Sequence, residues 1–391
     1  MRPTRLAVPG AAAALLVVPL LGVGPSVADE HDDGDVTLED RKVLANKLDN
    51  PRGLTVDDDG DVFVAQAGEG RGRDTSAPCF PGPTGADVCL GATGKITELD
   101  MRGHSGRLHR NGVSDVVEGL PSVALKADGN EGIGPSDVDF AGDDLFATIG
   151  LGADPAVRDR VPAGKHRMLA AKLATVQEVD GDEVEEVADI GDYERKVNPE
   201  KDDFDTNPNS LASYRRGFAV ADAGGNSLLR VDRDGDISTI FVFPKEAAVD
   251  SPMGRLSPDA VPTTVVRGPD GDLYVSQLTG FPFPKGTATV WRFEDGEDPE
   301  VFADGFTNVI DLGFTDDGDL LVLEFTTNGL LSGDPKGALH WVDSDDTDKH
   351  KVLTDELTMP GGLAVDGDDL YVSNNSAMAN KGEVLHFTLN E

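Results

Sequence analysis

The sequence predicts an all-β chain folded as a six-bladed β-propeller of four-stranded antiparallel blades. Three observations carry that expectation. A unit of strand, tight turn and strand recurs along the chain; Asp-Gly steps supply the turns; and the two ends of the chain offer strands that could complete one shared blade.

The first element is a leader. Arg2 and Arg5 precede an apolar stretch over residues 7–23, and Ser26-Val27-Ala28 supplies a small-residue exit before an acidic run. That order predicts a signal peptide over residues 1–28, cleaved after Ala28, then an acidic disordered leader over 29–38 and the propeller over 39–391. Pro9, Pro19 and Gly22 interrupt the apolar stretch, no later run is long enough to span a bilayer, and no cysteine stands at the cleavage point to take a lipid. The expected product is secreted, without a membrane anchor, and a monomer.

Acidic residues outnumber basic ones 72 to 34, for a net charge of −38. Phosphate backbones and anionic membranes would repel such a surface, so nucleic acid is excluded as an expected partner. The acid suits either cation capture or a solvated surface of Asp-rich turns.

The clearest copies of the repeat open at Pro51, Pro262 and Pro360, and less regular ones at Pro135, Pro208 and about Val309, which makes six. In the first, Pro51-Arg52-Gly53-Leu54-Thr55-Val56 leads through Asp57-Asp58-Asp59-Gly60-Asp61 to Val62-Phe63-Val64-Ala65-Gln66. Asp-Gly supplies the positive φ of a hairpin turn. The related run Asp232-Arg233-Asp234-Gly235-Asp236 lacks EF-hand spacing and a closing Glu, so turn chemistry is the better reading. Third and fourth strands follow, as in Thr289-Val290-Trp291-Arg292-Phe293 and Pro299-Glu300-Val301-Phe302-Ala303. The last repeat stops after its third strand, Glu383-Val384-Leu385-His386-Phe387-Thr388, and Arg41-Lys42-Val43-Leu44-Ala45 stands alone before the first. Pairing these two would close the ring and hide its edges.

Cys79 and Cys89, the only cysteines, are expected to form a disulfide across a Gly/Pro-rich loop, with metal ligation as the rival reading. The connections between second and third strands share one face and are long, at about 67–93, 151–164, 278–286, 326–336 and 376–382. That long-loop face is the candidate functional face for an unknown small molecule or protein. Aligned second strands place Gln66, Ile149, Asp222, Gln277, Glu324 and Asn374 at one position near this face, beside the expected channel. Arg52, Ser136, Asn209, Thr263, Ile310 and Gly361 share another at the starts of the first strands, with Asp137 and Asp311 one residue on. Asn209, Asp222 and Glu324 form a candidate oxygen-ligand set for Ca²⁺, joined by Asn374, although any propeller lines a wet channel with polar side chains. Phe281 and Phe283, set between prolines, are candidate rim residues that either contact a ligand or plug the channel mouth. The seven His residues are scattered, and no nucleophile and base fall into a hydrolytic motif.

Three segments resemble the ScyD/ScyE family of exported propellers, related to NHL-repeat and gluconolactonase-like propellers. They are residues 205–231, with Asp205-Thr206-Asn207-Pro208-Asn209-Ser210-Leu211 at their head, Gln277-Leu278-Thr279-Gly280-Phe281-Pro282-Phe283-Pro284, and Gly305-Phe306-Thr307-Asn308-Val309-Ile310-Asp311. The resemblance spans the chain after the leader and implies a six-bladed propeller without assigning an activity to particular residues. Gluconolactonase-like relatives hold a divalent cation with Glu, Asn and Asp at inner-strand starts. Asn209 matches that pattern, while Arg52, Ser136, Thr263, Ile310 and Gly361 depart from it. The sequence therefore favours a binding or scaffolding module, with a Ca²⁺-dependent hydrolase or lactonase as the alternative.

Overall fold

A computed structural model describes residues 36–82, 85–101, 112–251 and 253–390. The expected signal peptide, most of the acidic leader, and His31, His104 and His109 lie outside the described residues.

Six sheets stand around one axis, each opening with an inner strand: Pro51–Val56, Pro135–Ala141, Pro208–Tyr214, Pro262–Arg267, Val309–Phe314 and Gly362–Asp366. Their second strands are Val62–Gln66, Asp144–Ile149, Gly217–Asp222, Leu273–Gln277, Leu320–Glu324 and Asp369–Asn374. These second strands are almost wholly buried and read as continuous apolar runs, because neighbouring blades cover both faces of each sheet. The aromatic contacts show the packing directly. Phe146 of blade two meets Phe218 of blade three at 4.5 Å between ring centroids, and Tyr274 of blade four meets Phe314 of blade five at 4.8 Å. A ring as buried as Phe146 or Phe218 contributes roughly 1.5–3 kcal/mol through area removed from water.

The ring closes as expected. Strand Thr37–Leu48 pairs antiparallel with Gly382–Asn390, placing Leu38 opposite Leu389 and Val43 opposite Leu385, and so supplies the outer strand of blade six.

The Asp-rich turns consume their own carboxylates. Asp57 Oδ1 accepts the N–H groups of Asp59 and Asp61 at 3.0 and 2.8 Å, and Gly60 takes φ 81°. Asp232 repeats the geometry with Asp234 and Asp236, around Gly235 at φ 84°.

Blade one departs from the expected boundaries. Its third strand begins at Asp87 and runs to Leu99, because Asp87–Gly91 pairs outward with Ser122–Leu125 and also with a short extra strand, Cys79–Pro81. Cys79 and Cys89 face each other in that added pair and are joined by a disulfide. In blade two the connection runs on to Thr175 and folds into a 3-10 turn, Pro155–Arg160, and a helix, Lys165–Ala171. No helix among the described residues is long and apolar enough to cross a membrane.

Candidate functional site

The residues at the second-strand ends do share one register. Gln66 pairs with Pro51, Ile149 with Pro135, Asp222 with Pro208, Gln277 with Pro262, and Glu324 with Val309. All are buried, and four polar ones, Gln66, Asp222, Glu324 and Asn374, hold backbone. Gln66 accepts the Asp49 N–H at 2.8 Å, Glu324 the Thr307 N–H at 2.6 Å, and Asn374 the Thr358 N–H at 2.8 Å. Asp222 accepts from the Asn207 N–H at 2.6 Å, the Thr206 hydroxyl at 2.7 Å and the Gly225 N–H at 3.1 Å. The Asp49, Asn207 and Thr307 N–H groups belong to the connections entering the same blades, the Thr358 N–H ends the outer strand of blade five, and the Gly225 N–H lies in the turn after the Asp222 strand. These side chains are latches that satisfy backbone donors which would otherwise be buried without partners. Gln277, with its amide turned to suit its neighbours, instead accepts from Trp291 Nε1 at 3.1 Å and donates to Glu246 at 3.3 Å.

The candidate ligand set is not brought together. Asp222 and Glu324 each serve their own blade, and Glu324 also lies 3.3 Å from His340 Nε2. Asn209 donates to the Thr263 carbonyl at 2.7 Å. Among the described residues no group of three or more His, Cys, Asp or Glu side chains is arranged to hold a metal ion. These three residues do not fit a shared divalent cation: the Asp222 and Glu324 carboxylates stand on different blades and accept N–H and O–H donors there, and Asn209 is turned to the Thr263 carbonyl.

The inner-strand starts form a collar that stitches blade to blade. Asn209 reaches the Thr263 carbonyl, the Thr263 hydroxyl donates to the Val309 carbonyl at 2.8 Å, and the Ser373 hydroxyl to the Arg52 carbonyl at 2.7 Å. Arg52 donates to the Gly132 carbonyl at 2.6 Å, and burial draws its guanidinium down to about 10. Below the collar, in the half of the channel away from the long-loop face, lies a cavity of about 360 Å³ lined by all six inner strands. Its acidic groups are Asp137, Asp139 and Asp311. Asp137 accepts from the Leu211 N–H at 3.1 Å and is pushed well up by burial and then by the Asp311 charge. Burial lifts Asp311 and Asp139 to about 6. The Ser210 and Thr264 hydroxyls, 3.1 Å apart, link the two facing aspartates around the wall. Asp139 was missed in the sequence, although its i, i+2 spacing from Asp137 in a strand places both on one face.

The long-loop face itself carries apolar surface. Nine large apolar side chains are exposed among the described residues, and five of them, Met168, Val197, Phe204, Met253 and Leu331, sit on connections that emerge on this face. Leu331 is 48% exposed, Phe204 45% and Met168 73%. Phe281 and Phe283, edge-to-face at 6.1 Å and half-buried, stand in a connection of the same face that is tied to the next by Lys285 bonding Asn328 at 3.0 Å.

No protein-family model and no curated protein matches the sequence. Solved structures share the fold. A protein of unknown function from Bacteroides thetaiotaomicron superposes with a TM-score of 0.52 at 11% identity, over 90% of this chain and 72% of its own. A gluconolactonase from Xanthomonas campestris gives 0.49 at 14% identity, over 91% and 90%. Virginiamycin B lyase from Staphylococcus aureus gives 0.47 at 14% identity, over 91% and 100%. At such identities the likeness is one of fold alone.

Proposed function

We propose that the chain is an exported, non-catalytic binding propeller of the ScyD/ScyE type that meets a protein partner through its long-loop face. The observation that carries this reading is the gathering of exposed Met168, Val197, Phe204, Met253 and Leu331 on connections of one face. Apolar side chains kept in water by a rigid scaffold mark an interaction surface more than a folding need. The resemblance of residues 205–231, 277–284 and 305–311 to exported propellers supports the same reading. A calcium-dependent hydrolase draws no such support, since Asn209, Asp222 and Glu324 are engaged as described above. The axial cavity favours one second reading, a small polar ligand seated between Asp137 and Asp311.

The test compares capture from the secreted fraction by three immobilised proteins: wild type, a variant with Met168, Val197, Phe204 and Leu331 changed to Ser, and a control with outer-strand Val43, Val301 and Val352 changed to Ser. A partner retained by wild type and control but lost by the first variant is the expected outcome. Equal recovery by all three, or by none, would refute the proposal.

A further inference from the structure

The connection that enters blade three carries carboxyl groups as well as apolar ones. Helix Ile190–Val197 turns Glu194, 3% exposed, inward, and the Asp205 N–H donates to its carboxylate. Asp205 itself keeps a buried Oδ1 with no hydrogen-bond partner. Asp222 lies beside both, and Glu200 closes the group, accepting from Asn226 at 2.9 Å. The strongest charges acting on Glu194 are all acidic: Asp222, Asp205 and Glu200.

Most of the surrounding charges have partners outside the group, and Lys245 also reaches Glu200. Asp154 caps the 3-10 turn Pro155–Arg160. On that turn Arg158 binds Asp189 at 2.9 Å, and Asp159 takes Arg195 at 3.0 Å and Arg167 at 3.2 Å. Arg160 shares that turn, and Glu178 and Asp180 belong to the strand Thr175–Asp180 packed on the helix. Lys196 binds Asp192 at 2.5 Å, and Lys245 sits 2.5 Å from Asp259, 3.3 Å from Asp202 and 3.7 Å from Glu200. The helix is otherwise held by Tyr193, whose hydroxyl meets that of Thr239 at 2.8 Å.

We infer that this seam is a pH-operated catch on the long-loop face: protonated carboxyls hold the helix and residues 198–207 against blade three, and ionisation loosens them. The segment bears Val197 and Phe204, so the catch would regulate the docking face, and that consequence rests on the function proposed above. Burial, then the neighbouring acids, lifts Glu194 to about 7 and Asp205 to about 6. A carboxyl raised in the folded state favours docking in full below its ordinary range, and that contribution is lost as pH rises through about 6 to about 7.

Hydrogen exchange over residues 190–207 at pH 5 and pH 8, each rate divided by the intrinsic chemical rate, tests this on the isolated chain. Protection should fall by on the order of tenfold or more between the two. Glu194→Gln with Asp205→Asn, which keep the hydrogen-bonding shapes, should level it. Equal normalised protection at both pH values in wild type would overturn the catch. The readout needs no partner, so it stands or falls separately from the capture experiment.

Discussion

At the residue scale, the repeat explains two buried polar atoms that lack partners. In blade five Asn308 precedes the inner strand at φ 51°, and its Oδ1 accepts the Thr326 hydroxyl at 2.9 Å; Thr326 stands two residues past the second-strand end. Blade one has the Asn, Asn50 at φ 51°, but Gly68 in place of the Thr, and Asn50 Oδ1 is unpartnered. Blade four has the Thr, Thr279, but Val261 in place of the Asn, and the Thr279 hydroxyl is unpartnered. Val261 also sits at φ 55°, a conformation that a β-branched residue adopts only under strain and that Asn tolerates. Val261→Asn should therefore stabilise the protein by roughly 1–2 kcal/mol, combining relieved strain with a restored hydrogen bond. An increase in melting temperature is the expected reading; a decrease would show that blade four does not share the geometry of blade five. The candidate ligand residues were legible as a set for the same reason, since they occupy equivalent places in a repeat. Their role was not legible, because the N–H groups of Asp49, Thr307 and Thr358 reach them from segments ahead of the inner strands whose path no local pattern fixes.

At the scale of elements, strands bounded by Asp-Gly turns were readable because the turn residues impose positive φ locally. Closure was readable because a lone strand at each end must pair or leave an open edge. The third strand of blade one was not readable at its start. Its extension over Asp87–Gly91 gains ladder partners only from Ser122–Leu125 and Cys79–Pro81, which are distant or broken up by Pro and Gly. The helices Lys165–Ala171 and Ile190–Val197 were missed because each is short and docks by tertiary contacts. His166 meets Asp74 of the blade-one loop at 3.1 Å, and Arg158 packs against Gly191. Both helices lie on the long-loop face, so the features that carry the proposed recognition are the ones with the weakest local signals.

At the scale of the whole molecule, the buried acids set the sign of the pH dependence. Glu194 at about 7, and Asp205, Asp139 and Asp311 at about 6, each bind protons more tightly when folded than when unfolded. Stability therefore falls as pH rises from the ordinary carboxylate range through about 7. Asp74, Asp270 and Asp343 are held below that range by cationic or N–H partners, and their contribution disappears only as pH falls beneath it. Scanning calorimetry should give a higher melting temperature at pH 5 than at pH 8, with a further decline at strongly acidic pH. A melting temperature that rises steadily to pH 8 would contradict the burial of these groups. Salt should narrow the difference by screening the −38 net charge.

The central claim is that the polar side chains at the second-strand ends belong to the scaffold, leaving recognition to the connections above them. Glu324→Gln tests it most directly, because Gln keeps an acceptor for the Thr307 N–H but loses the negative charge and bidentate carboxylate that make Glu a strong calcium ligand. Thermal unfolding measured with and without millimolar calcium should give wild type and variant stabilities within about 1 kcal/mol of each other, and neither melting temperature should respond to calcium. A calcium-induced rise in wild type that vanishes in the variant would make Glu324 a metal ligand and contradict the account.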